Sequence, residues 1–568
     1  MYTKQKAVQE VITGIKQVLG KEYDIAADTI ETPKSAEHGD LAFPCFQAAK
    51  ESGKNPVEIA KEIVENFKGT MLIKSAEALG PYVNFRFHGD VFAKSVIDDV
   101  EGEGSAYGHS SLGKSTRVMV EYGQPNTHKE LHIGHVRNIL LGQAVVNTLH
   151  ANGFDVIAAS YINDKGADVA KSIWGYTKFQ NEEKIPKEDR ARRLGELYVQ
   201  ANAYVAEHEE AKEDIDRVYR GLENHEEPWY SIWKETRKWS IEEFKRVFTE
   251  LGMKPDVYYF ESQVEDRAKE VVQKLLTDNI AVKSEGATII DLEEEDLGAM
   301  LVLKSDGTSL YATADLALAE KKQADYAPDR QIFVVDNRQS LYFKQLFATL
   351  KRMGMHTQFT HIAYDFVTLP DGAMSSRKGN VVLYREVIEE LREELVKETN
   401  KRHEDWKDAK VKETADRIAH AALAFMMLRQ DSNSIITFDK KEALSFDGFT
   451  GPYILYTLAR IVSLQKKTKT KPVLDAKKLK HPLEHALLTK ISDYPSVVEH
   501  AGASFQISAI ATWVFEAAKL FAEYYAQVRI VDEANKEMTA SRLALAGVLS
   551  QAMNNALGLL GIRSVEEM

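Results

Sequence analysis

Near the start of the chain Val8, Val11, Ile12, Ile15, Val18 and Leu19 recur at helical spacing and Gly20 follows them, so the pattern predicts an amphipathic helix ending at the glycine. A second helix is predicted over 56–67. There Asn55-Pro56-Val57-Glu58 supplies a capping amide, a proline at the first helical position and a glutamate placed to close a capping box. Val83, Phe85 and Phe87 then alternate with polar residues as a half-buried strand does, and the Gly- and Ser-bearing stretch 102–115 marks a domain boundary.

Beyond that boundary the period changes. Residues 117–122 form an apolar run that reads as a buried strand, a turn holding Gly123, Pro125 and Asn126 follows, and helix-compatible sequence begins at Leu131. A second apolar strand over 156–162 comes one crossover later, which predicts a parallel, doubly wound sheet. The charge-rich stretch 172–290, with Trp174, Trp229, Trp233 and Trp239, reads mostly as helix and as an insertion. Strand signals resume at 300–303 and 332–335, as expected if one sheet is split around it. From 410 onward helical periodicity dominates, and Leu and Ala recur through 541–560 as in a helical bundle. The expected division is 1–110, 111–390, 391–445 and 446–568.

At 568 residues several cores are expected, and 44% hydrophobic with 28% charged residues excludes a mainly disordered chain. The lone Cys45 excludes an internal disulfide and any multi-cysteine zinc site. The N-terminus lacks a signal-peptide pattern and the longest apolar run, around 421–428, is too short to cross a bilayer, so a cytoplasmic protein without a membrane partner is expected. A net charge of -13 argues against nonspecific polyanion binding but leaves room for a nucleic acid held by a local basic patch. The densest basic stretch is Lys466, Lys467, Lys469, Lys471, Lys477, Lys478 and Lys480; with no aromatics interleaved, it reads equally as a solvated connector.

Two motifs carry chemistry. His132-Ile133-Gly134-His135 stands where strand and turn hand over to a helix, so its imidazoles and backbone N–H groups can face an anion, and Gly134 would let the backbone approach a flat base. Downstream, Met374-Ser375-Ser376-Arg377-Lys378-Gly379-Asn380 combines small hydroxyls with two cations, which suits a loop closing on phosphate oxygens; a basic surface turn would look the same. The loop is expected between apolar strands.

Together the motifs resemble the HIGH and K-M-S-K-S signatures of class I aminoacyl-tRNA synthetases, with Ala373 and Ser376 standing where that loop has its lysines. Nearly the whole chain resembles the arginyl-tRNA synthetases. The signature-like segments are Val120-Glu121-Tyr122 with Pro125-Asn126, Tyr161-Ile162-Asn163-Asp164, Tyr311-Ala312-Thr313-Ala314-Asp315 and Gly451-Pro452-Tyr453, with Gly39-Asp40 and Gly80-Pro81-Tyr82-Val83-Asn84 at the N-terminus. The resemblance implies an α/β protein: a Rossmann-like parallel-sheet catalytic domain, an α+β N-terminal domain meeting the tRNA elbow, and an all-α anticodon-binding bundle. It implies ATP and Mg²⁺, tRNA(Arg) and L-arginine, a monomer, and activation that awaits tRNA. By resemblance Lys129, His132, His135, Arg377 and Lys378 act on the phosphates, and Gly134, Val367, Met374, Ser375 and Ser376 join the two histidines in holding ATP. Glu121, Asn126, Tyr311, Asp315 and Gln339 line the arginine pocket. That last set also makes physical sense, because a guanidinium is a permanent planar cation that needs carboxylates and amide oxygens around it. A glutamyl or cysteinyl enzyme, a small HIGH-motif nucleotidyltransferase and a nonenzymatic synthetase-derived RNA binder are the competing readings. The N-terminal domain, the chain length and the intact His132, Gly134, His135 and Lys129 weigh against them in turn.

Overall fold

The computed structural model describes residues 1–568 apart from 21–22, 34, 182–183, 306–309 and 371–381. The N-terminal helix α1 (Thr3–Leu19) buries Val11, Ile12 and Ile15 and stops at Gly20, whose φ is +115°. After it come β1 (Leu41–Pro44), α2 (Phe46–Ser52), α3 (Pro56–Asn66), β2 (Ile73–Leu79), β3 (Tyr82–Phe87) and α4 (Gly89–Glu103). Asn55 caps α3 by accepting from the Val57 N–H at 2.8 Å. The three strands form an antiparallel sheet in the order β1-β3-β2, with Val83, Phe85 and Phe87 of the central strand buried.

The central sheet begins with β4 (Arg117–Glu121), α5 (Ile133–Ala151) and β5 (Asp155–Ile162), whose near-continuous apolar runs suit strands covered on both faces. The helices α6 (Ala167–Phe179), α7 (Arg190–Glu207), α8 (Ala211–Glu223) and α9 (Trp229–Glu250) follow, then β6 (Val257–Phe260), α10 (Glu265–Thr277), β7 (Val282–Ser284), β8 (Ala287–Asp291) and β9 (Ala299–Leu303). Next come α11 (Tyr311–Tyr326), β10 (Arg330–Asp336), α12 (Ser340–Arg352) and β11 (Gln358–Tyr364). The five-stranded sheet has the order β11-β10-β4-β5-β6, and every neighbouring pair is parallel. Winding therefore proceeds one way from β4 through β5 to β6, then restarts on the other side of β4 at β10. Such a reversal opens a crevice at the carboxyl ends of β4 and β10.

Two expectations change here. The strand at 300–303 does not belong to the central sheet: β9 pairs with β8 in a separate antiparallel sheet of order β7-β8-β9. Its residues are apolar in a row, yet Leu301 is exposed while Met300 and Val302 are buried, the one-sided pattern of an antiparallel strand. The stretch 172–290 is mostly helical but is not wholly an insertion, because β6 lies inside it and forms the edge of the central sheet against β5.

After β12 (Val367–Thr368) the chain is mainly helical: α13 (Tyr384–Arg402), α14 (Asp408–Leu428), then β13 (Ile436–Thr437), α15 (Lys440–Ala443), α16 (Gly451–Lys466), α17 (Pro482–Ser504), α18 (Ser508–Gln527) and α19 (Lys536–Leu559). Gly451 is required by packing, since a Cβ there would sit 2.4 Å from the carbonyl oxygen of Ala421 on α14. The ends of the chain meet: α4 lies against α17 and α19, and the Tyr107 hydroxyl donates to the Ile491 carbonyl at 2.9 Å. Among the described residues no helix is long and apolar enough to cross a membrane.

Candidate active site

A cleft of about 960 Å³ opens at the carboxyl ends of β4 and β10, where the sheet order reverses. Of the residues expected in an arginine pocket, Glu121, Asn126, Tyr311, Asp315 and Gln339 all line it. So do His132, Gly134, His135 and Val367 of the expected nucleotide set. Met374, Ser375, Ser376, Arg377 and Lys378 lie outside the described residues. Lys129 is not among the residues that line the cleft.

At one end, His132 is the residue before α5, and its Nδ1 accepts from the Gly134 N–H at 3.1 Å. Its own N–H donates to His135 Nδ1, also at 3.1 Å, and the two rings lie 3.8 Å apart. Burial, reinforced by the nearby charges of Lys129 and Arg338, pulls the His132 imidazole down to about 4. Burial likewise holds His135 well below its ordinary value, helped by His132 and Lys129. Both rings are therefore neutral at physiological pH, so this end of the cleft offers hydrogen bonds and a helix N-terminus rather than imidazolium charge. The glycine between them has an internal reason as well: a Cβ on Gly134 would stand 2.9 Å from Cε1 of His132.

Lys129 points to the helices after β5. Its ammonium is 2.6 Å from Asp168 on α6 and 4.8 Å from the centre of the Tyr198 ring on α7, whose hydroxyl donates to the same carboxylate at 3.1 Å. Burial works against the Lys129 charge, but the hydrogen bond and charge of Asp168 outweigh it and hold the ammonium above its ordinary value. Although it stands aside, its charge is felt at both histidines.

The other end is acidic. Asp315, in the first turns of α11, accepts a hydrogen bond from the Tyr342 hydroxyl of α12. Burial pushes its carboxyl up to about 6, with Tyr342 opposing, Glu121 adding to the rise and Lys322 opposing it. Glu121, at the end of β4, forms a buried ion pair with Lys322. Glu261, just beyond β6, is pushed up to about 8 by burial and by the charges of Asp164, Asp315 and Glu265. One of its carboxylate oxygens is buried with no hydrogen-bond partner among the described residues. Tyr311, by contrast, is 69% exposed and stands at the mouth rather than in the wall.

The first signature segment is joined by backbone to residues 382–384, which follow the second in sequence. Ile133 N–H donates to the Val382 carbonyl at 3.1 Å and Tyr384 N–H donates to Leu131 at 2.9 Å, making a short antiparallel bridge between His132 and Leu383. The loop was expected to lead into a strand; instead it leads through this bridge into α13. Arg137, 1% exposed, ties down the approach to the loop by donating to the carbonyls of Asp365 at 2.6 Å and Ser432 at 2.9 Å. Sequence reading missed Lys322, Tyr342, Glu261, Asp168 and Tyr198. Only Lys322 carried a local signal, since it follows Asp315 by two helical turns and shares its face.

Models of known families match almost the whole chain. Residues 100–439 match the catalytic domain of class I tRNA synthetases (R), residues 454–568 the DALR anticodon binding domain, and residues 4–87 the arginyl tRNA synthetase N-terminal domain. The arginine–tRNA ligase of Bdellovibrio bacteriovorus is 37% identical over 98% of each chain. Arginine–tRNA ligase 1 of Bacillus cereus is 34% identical over 95% of this chain and 96% of its own. Among solved structures, the Thermus thermophilus arginyl-tRNA synthetase superposes with a TM-score of 0.84 at 24% identity, covering 99% of this chain and all of that one. Matched by these family models and relatives over nearly its whole length, the chain belongs to the arginyl-tRNA synthetase family of class I.

Proposed function

We propose that this protein joins L-arginine to tRNA(Arg). It activates the amino acid with ATP to arginyl-adenylate, releasing pyrophosphate, and then transfers it to the 3′-terminal adenosine, releasing AMP. The observation that carries this reading is the polarity of the cleft: a buried carboxylate, Asp315, lines one end, and a helix N-terminus with two neutral histidines lines the other. Asp315 takes the guanidinium, with Asn126 and Gln339 supplying amide groups, Glu121 lining the same wall and Tyr311 covering the mouth.

The arginine carboxylate, already ionised at neutral pH, attacks the α-phosphorus in line, so no general base is required. Catalysis then comes from positioning and from neutralising charge on the phosphates. His132 and His135 donate hydrogen bonds to phosphate oxygens, and Val367 forms part of the wall against adenine. Lys129 leaves Asp168 for the phosphates, Met374, Ser375 and Ser376 help hold ATP, and Arg377 and Lys378 act on the departing pyrophosphate. Among the described residues no three carboxylates, histidines or cysteines converge to hold a metal, so Mg²⁺ would be held chiefly by phosphate oxygens and water and would supply charge neutralisation there. The adenylate is passed to the 2′-hydroxyl, as in class I, by a monomeric cytoplasmic enzyme whose activation step awaits tRNA.

An ATP–pyrophosphate exchange assay with a panel of amino acids, each with and without total tRNA, tests the reading. Exchange should appear with arginine and depend on tRNA. Comparable exchange with glutamate, cysteine or lysine would overturn the substrate assignment, and undiminished exchange without tRNA would remove the dependence.

A further inference from the structure

His128, the residue before Lys129, is 1% exposed and takes no part in the chemistry above. Its φ is +66°, a left-handed conformation that a residue with a side chain keeps only where its surroundings fix it. Three hydrogen bonds do so. The His128 N–H donates to Ser240 Oγ at 3.0 Å, its Nε2 lies 2.8 Å from Thr236 Oγ1, and its Nδ1 lies 3.0 Å from Thr127 Oγ1. Thr236 and Ser240 are themselves buried, one turn apart on α9, where a helix facing the interior ordinarily carries apolar residues. The Thr236 hydroxyl proton is already committed to the Ile232 carbonyl at 2.7 Å, so Thr236 accepts from His128 Nε2–H. Nδ1 is then the bare nitrogen, and the Thr127 hydroxyl donates to it. Burial pulls the imidazole down to about 3, with Thr127 opposing and the Arg237 charge adding to the fall, so the ring stays neutral in that one tautomer. Lys129 therefore stands between two fixed points. Before it, the Thr127 N–H donates to the Asn163 carbonyl at 2.9 Å and His128 is clasped by α9; after it, the Leu131 carbonyl accepts from the Tyr384 N–H at 2.9 Å.

We propose that His128 is a positioning residue for adenylation: clasped between Thr127 and Thr236, it fixes the backbone from which Lys129 moves between Asp168 and the phosphates of ATP. This rests on the reading of Lys129 as a cation that acts on the phosphates. A side chain that serves two places needs its backbone held, and a misplacement of about 1 Å at a reacting group can cost roughly 10²-fold in rate. Asp315 and Glu121 are carried by α11 and β4, outside this clasp, so arginine binding should be spared.

The test is ATP–pyrophosphate exchange with arginine and tRNA present, for variants made both in the parent and in a Lys129→Ala background. In the parent, His128→Ala should lower kcat/KM for ATP by roughly 10–10²-fold and leave the arginine KM within about twofold. His128→Gln, whose amide can still donate to Thr236, should recover most of the loss. Thr236→Val keeps the shape but removes the acceptor, and should lower kcat/KM for ATP by roughly three- to tenfold with the arginine KM again unchanged. In the Lys129→Ala background each change should cost less than about twofold more, because the residue through which His128 acts is already gone. Should His128→Ala fail to fold, Thr236→Val carries the same comparison. Losses of full size in the Lys129→Ala background, an arginine KM that rises as far as the ATP term falls, a His128→Gln no better than His128→Ala, or a Thr236→Val indistinguishable from the parent would overturn the proposal. Near-normal exchange in Lys129→Ala by itself would instead remove the role of Lys129 on which the proposal rests.

Discussion

At the acidic end of the cleft, charge is set before any substrate arrives: Asp315 is buried under the Tyr342 hydroxyl, Glu121 is paired with Lys322, and Glu261 keeps a carboxylate oxygen unpartnered. At the histidine end the rings themselves carry no charge, and the cation that lines the cleft beside them is Arg338. His132 and His135 are neutral, and the nearest lysine, Lys129, rests on Asp168 to one side. On the proposed assignment of the two ends, the difference follows from the two ligands. Arginine brings a fixed cation that a rigid counter-charge can receive, whereas pyrophosphate must be held during reaction and then released, which favours cations that come and go.

On the proposed role of Lys129, the largest effect should come from removing it. Lys129→Ala is expected to depress adenylation by roughly 10²–10³-fold while leaving arginine binding nearly intact, because it acts on charge that develops at the phosphates. Single-turnover adenylate formation in the presence of tRNA measures this. Near-normal turnover would move the cation's role to Arg377 and Lys378 and erase the contrast between the two ends. The counterpart at the acidic end is Asp315→Ala, which should raise the arginine KM by about 10²-fold and the ATP KM by far less, as expected when one member of a buried charge pair is cut away. Equal small changes in both constants would mean that the acidic end is not the arginine end.

Glu261→Gln sharpens the comparison by separating stability from binding. Its carboxyl is raised from the ordinary range to about 8, so the folded state favours the protonated form. The stability this contributes is present at low pH and is lost as pH rises through about 8. A glutamine cannot ionise, so the variant should melt at a higher temperature than the parent above pH 8, and the gap should close toward pH 5. If the unpartnered oxygen faces arginine, the arginine KM should rise about tenfold, the value of a charged hydrogen bond in a partly open site. A higher melting temperature with unchanged arginine KM would make Glu261 a structural acid only.

How much of this was legible in sequence depends on whether the signal was local. The strand, turn and helix around His132 could be read because apolar period and turn chemistry change within a few residues. The five residues of the expected arginine wall came from resemblance and do line one cleft, although Tyr311 stands at its mouth. The apolar row at 300–303 misled, since consecutive apolar residues look alike whether one face or both are covered. The partners of the functional groups were mostly invisible. Asp168, Tyr198 and Tyr342 reach Lys129 and Asp315 only through folding, and the bridge from His132 to Leu383 spans a long stretch of chain. Lys322 is the instructive exception: its helical spacing from Asp315 was available, but a lysine in a charge-rich helix reads as solvated until its burial is known.

The smallest expected effect bears on how Lys129 is held. Its partner Asp168 keeps 47% of its side-chain surface exposed, so solvent screens the pair and its worth is that of a surface ion pair, below about 1 kcal/mol. Asp168→Asn keeps the shape and an acceptor for the Tyr198 hydroxyl but removes the charge that draws Lys129 aside. If Asp168 withholds the lysine from ATP, the variant should lower the ATP KM by roughly two- to threefold, with the arginine KM unchanged, because Lys129 no longer gives up a partner on reaching the phosphates. If Asp168 instead aims the lysine, the ATP KM should rise. The sign of the change therefore decides whether the insertion helices that carry Asp168 and Tyr198 restrain the nucleotide end or complete it.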